Sequence, residues 1–140
     1  MGTLRIKTII LGYDGSDGSR KAVDMAGELA RTYQASIIVV SAFHQMPRMT
    51  QPTSNDFKDI HQARALADDL VEELGLLDIS AEADVLEGPP ADAILNAAEA
   101  HDADLIVVGS RGFGQFKGLL LGSTSDRVLH YAAIPVLVAR

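Results

Sequence analysis

The chain has 140 residues, no Cys, 47% hydrophobic and 22% charged residues, and a formal net charge of −7. That length and composition fit one globular domain over residues 1–140 rather than a disordered chain. The acidic balance excludes a general nucleic-acid binder, which needs a cationic surface to release counterions. The lack of Cys excludes disulfide scaffolds, thiol catalysis and Cys-based metal sites. No apolar run reaches the roughly 18–20 residues of a membrane span and no cleavable signal pattern is read before Asp14, so no membrane partner and a cytoplasmic location are expected.

Residues 7–13, KTIILGY, are an apolar run ending at Gly12 and followed by the turn formers Asp14-Gly15-Ser16, which predicts a buried strand leading into a helix. From Asp17 to Tyr33 the residues Ala22, Met25, Ala26, Leu29, Ala30 and Tyr33 recur at helical spacing and predict one apolar face. SIIVVSAF, residues 36–43, is apolar on both alternations, as a strand buried on both faces must be. Residues 44–55, HQMPRMTQPTSN, have two prolines and no period and read as a mobile connection.

A second helix is predicted from Ile60, Ala63, Ala67, Leu70, Val71 and Leu74, with Gly75 placed like its C-terminal cap. AEADVLEG, residues 81–88, alternates weakly and reads as a strand near a sheet edge. Pro89-Pro90 then opens a third helix with the stripe Ala91, Ile94, Leu95 and Ala98. DLIVVG at 104–109 and IPVLVA at 134–139 complete the strands. Strands alternating with helices imply right-handed βαβ units and an open, mostly parallel sheet. Such sheets bind ligands outside the carboxyl ends of the strands, which directs attention to the loops after Gly12, Phe43 and Val108.

Five of the 12 glycines (Gly109, Gly112, Gly114, Gly118 and Gly122) fall within residues 109–122, where even spreading would place about one. The run follows a buried strand and leads into Ser123-Thr124-Ser125-Asp126, read as the cap of a helix continuing through Val128, Leu129 and Ala132. A glycine-rich turn feeding a helix N-terminus aims backbone N–H groups and a positive dipole end at one point, where a phosphate can sit. Arg111 and Lys117 add charge. On pattern alone, a flexible surface loop with an ordinary cap accounts for the same residues. A Walker loop is absent because no Lys separates Gly122 from Ser123, and GSRGFG lacks the G-x-G-x-x-G order of a dinucleotide fold.

Gly109-x-x-Gly112, nine residues and Gly122-Ser123 match the G-x2-G-x9-G-S/T signature of the ATP-binding branch of the universal stress protein family, which the sequence resembles over nearly its whole length. IILGYDGSDGSRKAVDMA, EGPPADAIL and DADLIVVGSRG also resemble segments of that family. The resemblance implies a Rossmann-like α/β fold, a five-stranded parallel sheet in the order 3-2-1-4-5, and dimerisation through the last strand. It implies Asp14 against the adenosine with Gly12 beside it, Ala42 at the adenine ring, and Val108 and Gly109 lining the same pocket. Gly112 and Gly122 would let the backbone approach the phosphates, with Arg111 and Gly114 in the same loop, and Ser123, Thr124 and Ser125 would donate to them. ATP, with Mg²⁺ held through the phosphates, is the implied ligand, and a regulatory protein acting on an unidentified protein partner is the implied role. The alternative is an interaction module of the same fold with an empty or AMP-filled pocket. Tyr13 is bulkier than expected in its place and would bear on the entrance or the ribose.

The remaining candidates have plainer readings. Without the resemblance, Asp14 is a cap for the following helix. His44, His61, His101 and His130 lack metal-ligand spacing, and Asp68, Asp69, Glu72 and Glu73 read as a solvated helix face. Met46 and Met49 cover the adenine pocket or fill gaps beneath a loop. No nucleophile stands beside a base, and no residue is placed to orient an attacking water, so the chain is expected to be at most a slow ATPase.

Overall fold

Apolar runs and longer amphipathic ones alternate along the chain, and the computed structural model, which describes residues 5–44, 59–111 and 121–140, turns them into strands and helices in the same order. These are β1 (Thr8–Gly12), α1 (Asp17–Tyr33), β2 (Ser36–Phe43), α2 (Ile60–Leu76), β3 (Ala81–Glu87), α3 (Pro90–Ala100), β4 (Leu105–Gly109), α4 (Ser123–Tyr131) and β5 (Val136–Ala139). Every pairing is parallel, and the strand order is β3-β2-β1-β4-β5. The fold is thus the open five-stranded parallel sheet that the resemblance implies.

Successive strand residues point to opposite faces, so the unbroken apolar runs feed two separate cores. Ile9, Leu11, Ile37, Val39 and Val107 pack with Ala26 of α1 and Leu70 and Leu74 of α2. Ile10, Ile38, Val40, Ile106 and Val108 pack with Ile94 and Ala97 of α3 and Val128 of α4. Each buried Ile, Leu or Val contributes about 1.5–3 kcal/mol. Weakly alternating β3 takes the edge position expected for it, its side chains half-buried or exposed.

Three local expectations are corrected. In α1 the buried residues are Ser19, Ala22, Val23, Ala26, Gly27 and Ala30, while Met25 and Tyr33 stay 41% and 42% exposed. The face laid on the sheet is the one whose small side chains allow close approach, not the one with the largest apolar groups. In α2 the stripe Ala63, Ala67, Leu70 and Leu74 is buried, but Ile60 is exposed and Gly75 lies inside the helix. Asp78, at φ 61°, makes the left-handed reversal instead. The Ile79 N–H donates to the Leu74 carbonyl and the Asp78 N–H to the Gly75 carbonyl, both at 3.0 Å, which is a Schellman ending. Gln34 and Asp102, at φ 56° and 51°, end α1 and α3 in the same left-handed conformation. In α4 the N-cap is Gly122, and Ser123–Asp126 form the first turn rather than the cap; Leu129 is exposed.

Candidate functional site

The strand order reverses between β1 and β4, the position at which open α/β sheets place a ligand crevice at the carboxyl ends of their strands. At the end of β1, Gly12 is buried. A Cβ on it would lie 2.6 Å from Ile94 Cδ1 and 3.2 Å from Val108 Cγ1, so these two side chains floor the crevice on the α3 side. The Tyr13 N–H donates to the Val40 carbonyl at 3.0 Å, and its own carbonyl accepts from the buried Ser41 Oγ at 3.0 Å. The Tyr13 ring packs on the core beneath α1 and α2.

Asp14 Oδ1 accepts the Ser16 N–H at 2.9 Å, a side-chain turn that carries the chain through Gly15, at φ 83°, into α1. The cap of α1 is Ser16, whose Oγ accepts the Ser19 N–H at 3.2 Å while Ser19 Oγ donates to the Ser16 carbonyl at 2.9 Å. Asp14 therefore braces the turn before the cap with one carboxylate oxygen. At the end of β2, half-buried Ala42 lies on the α3/α4 side of the sheet, in register with Leu86.

At the end of β4 the backbones of two elements touch. A Cβ on Gly109 would lie 2.3 Å from the Gly18 carbonyl oxygen, and a Cβ on Gly18 would lie 1.9 Å from the Arg111 carbonyl oxygen. The Ser110 N–H donates to the Ala139 carbonyl at 2.8 Å, and the Ser110 carbonyl accepts the Gly122 N–H. Buried Ser125 Oγ lies 3.1 Å from both the Ser110 and the Gly122 carbonyls. Ser123 is exposed, Thr124 half-buried and Arg111 exposed. Gly112 and Gly114, together with Lys117, Met46 and Met49, lie outside the described residues.

The helix ends around the crevice differ in how their N–H groups are met. Ser16 caps α1, and Asp59 and Gln62 form a reciprocal capping box on α2. Neither Pro89 at the start of α3 nor the Gly122 cap of α4 offers a side-chain acceptor, which leaves the first-turn N–H groups and positive dipole ends of these two helices without a side-chain cap. The Arg20 guanidinium pairs with Glu73 across α1 and α2, and this hydrogen bond, helped by the Tyr13 phenol, holds Arg20 above its ordinary pKa. Among the described residues no group of three or more His, Asp or Glu is placed to hold a metal ion, and no helix there is long and apolar enough to cross a membrane.

Gly18 and the pairing of Ser110 with Ser125 escaped sequence reading. DGS-type turns signal a cap, but nothing local marks a glycine that meets a loop remote in sequence.

The profile of the Universal stress protein family matches residues 5–140. A universal stress protein of Thermus aquaticus is 39% identical over 138 residues, covering 96% of this chain and 98% of that relative. A solved universal stress protein in complex with cAMP is 28% identical, with a TM-score of 0.73 over 97% of this chain and 98% of that one. The hypothetical protein MJ0577, at 23% identity, shares the fold with a TM-score of 0.81 over 96% of this chain and 95% of its own. With the family profile matching residues 5–140 and a relative 39% identical over nearly the whole of both chains, the chain belongs to the universal stress protein family.

Proposed function

We propose that this chain is a regulatory protein that binds an adenine nucleotide, ATP with Mg²⁺, in the crevice between β1 and β4. The observation that carries the reading is the N-terminus of α4, left without a side-chain cap and tied to the exit of β4 at the switch point. Its N–H groups and the exposed hydroxyl of Ser123, with Thr124 beside it, are a donor set suited to phosphate oxygens. Arg111 adds a positive charge at the mouth. Asp14 and Gly12 would meet the ribose side, Ala42 the adenine, and Val108 and Gly109 the floor. Gly112, Gly114 and Gly122 would let the backbone approach the phosphates. The complex of a 28% identical relative with cAMP supports an adenine nucleotide as the ligand class.

Mg²⁺ keeps most of its waters and needs only one or two protein oxygens when phosphates supply the rest. The group would neutralise phosphate charge, while the residues of the crevice hold and orient. We assign no turnover step. Bound nucleotide would bias the loops of the carboxyl edge, a homodimer through edge strand β5 and a protein partner in the cytoplasm.

A monophosphate is the second reading, favoured by the single phosphate of cAMP in that relative. Mass analysis of nucleotide released by acid from freshly purified protein separates the two. Retained ATP supports the first reading, retained AMP the second, and no nucleotide counts against both.

A further inference from the structure

We propose that Ser125 is a positioning residue which, together with Gly18, fixes the exit of β4 at residues 109–111 against the Gly122 start of α4 before ligand arrives, rather than a phosphate donor. The inference rests on the nucleotide reading above and names how that site is shaped. One carbonyl, that of Ser110, joins the exit of β4 to the start of α4. The Ser110 oxygen accepts the Gly122 N–H and, at 3.1 Å, the Ser125 hydroxyl. The same hydroxyl lies 3.1 Å from the Gly122 carbonyl, and Ser125 is 2% exposed. A hydroxyl has one hydrogen to give, and here the half-buried Ser110 and buried Gly122 carbonyls share it, so the side chain acts through the backbone it fastens.

From the opposite side, the first turn of α1 bears on the same segment. The Gly18 backbone abuts Arg111, where a Cβ would come within 1.9 Å of the carbonyl oxygen, and Gly109 fits against Gly18 and Ser19. The Ser110 N–H is held by Ala139 of β5 at 2.8 Å. Residues 109–111 are therefore gripped by α1, α4 and β5 together. Holding these backbone groups in place in advance lowers the ordering cost that ligand binding must meet. Only the phosphate end of the ligand touches this part of the site in the proposed pose.

Two readouts on Ser125→Ala test the claim: amide hydrogen exchange at Ser110 and Gly122 in ligand-free protein, and affinity for AMP, ATP and adenosine. Losing one buried hydroxyl bond should speed exchange at Gly122 by about three- to tenfold and weaken AMP and ATP by a similar factor. Adenosine, without phosphate, should bind as it does to wild type. Gly18→Ala approaches from the other side: alanine favours the helix, yet its Cβ displaces the Arg111 carbonyl, so the same pattern should appear. Weakened phosphate binding with unchanged exchange would make Ser125 a direct donor and overturn the proposal. Faster exchange with unchanged affinities would do the same, leaving a purely structural bond. If wild-type protein binds neither nucleotide nor adenosine, the site reading itself fails and the ligand claim with it, while exchange in the two variants still reports whether the fastening exists.

Discussion

In the proposed site Asp14 would have two duties that two substitutions can separate. Its Oδ1 accepts the Ser16 N–H, a bond that an amide oxygen also makes, whereas its charge would act on a ligand in the proposed site and, weakly, on the positive end of α1. Asp14→Asn should leave stability within about 0.5 kcal/mol of wild type and weaken nucleotide binding about tenfold, while Asp14→Ala should also lose about 1 kcal/mol in denaturant unfolding. Equal unfolding midpoints for both variants would show that the turn does not depend on this bond. At this scale the sequence was partly legible. DGS after a buried strand signals a turn and cap, and the glycine spacing singles out Gly109 and Gly122. It does not show that Ser16 rather than Asp14 caps the helix, because both residue types suit that place and only the backbone angles decide.

Among the elements, the clearest contrast lies at the end of α2. Gly75 sits within the helix without a positive φ, and a Cβ on it would meet no atom within 4 Å, so Gly75→Ala should stabilise by about 0.5–1 kcal/mol. Asp78 bears the left-handed reversal at φ 61°, and Asp78→Gly should stabilise by up to about 1 kcal/mol and raise Tm by a few degrees. A loss of stability in Gly75→Ala would return the cap to Gly75, where hydrophobic periodicity alone puts it. Glycine after a periodic apolar run is a common stop signal, and only the tertiary path of Leu77–Ile79 overrides it. The same override turns α1, whose buried Ser19 and Gly27 carry no hydrophobic signal.

Between these helices, Arg20 and Glu73 form an ion pair with side chains 46% and 42% exposed. Solvent screening limits its value, and Arg20→Met should cost less than about 1 kcal/mol, shrinking as salt is added. Arg20 is raised above its ordinary pKa in the folded protein. A group raised on folding stabilises fully below its unfolded pKa and loses that contribution only as pH climbs through the folded value. The Arg20 side of the pair should therefore contribute equally across roughly pH 6–9. A pH-dependent Arg20→Met effect in that window, read in unfolding curves, would locate the response elsewhere.

For the molecule as a whole, the parallel sheet with its strand order reversing at β1 and β4 was legible because the doubly apolar strands admit few other folds, and in such sheets the carboxyl edge is where ligands bind. The backbone contacts that shape the edge were not, since they join residues with no local relation. At the far edge, β5 has a strand neighbour on one side only among the described residues, and Leu129 and Tyr131 of α4 are 42% and 62% exposed. The proposed homodimer would use this edge. Sedimentation should find a dimer that Tyr131→Glu weakens about tenfold; a monomeric wild type would contradict it. The central claim is the nucleotide crevice, and calorimetric titration of nucleotide-stripped protein with ATP, ADP and AMP, with and without Mg²⁺, meets it most directly. Saturable binding of one nucleotide per chain, tightest for ATP with Mg²⁺ and lost in Gly122→Val while the fold persists, is the expected result. No heat with any of the three, from protein whose unfolding is cooperative, would contradict it.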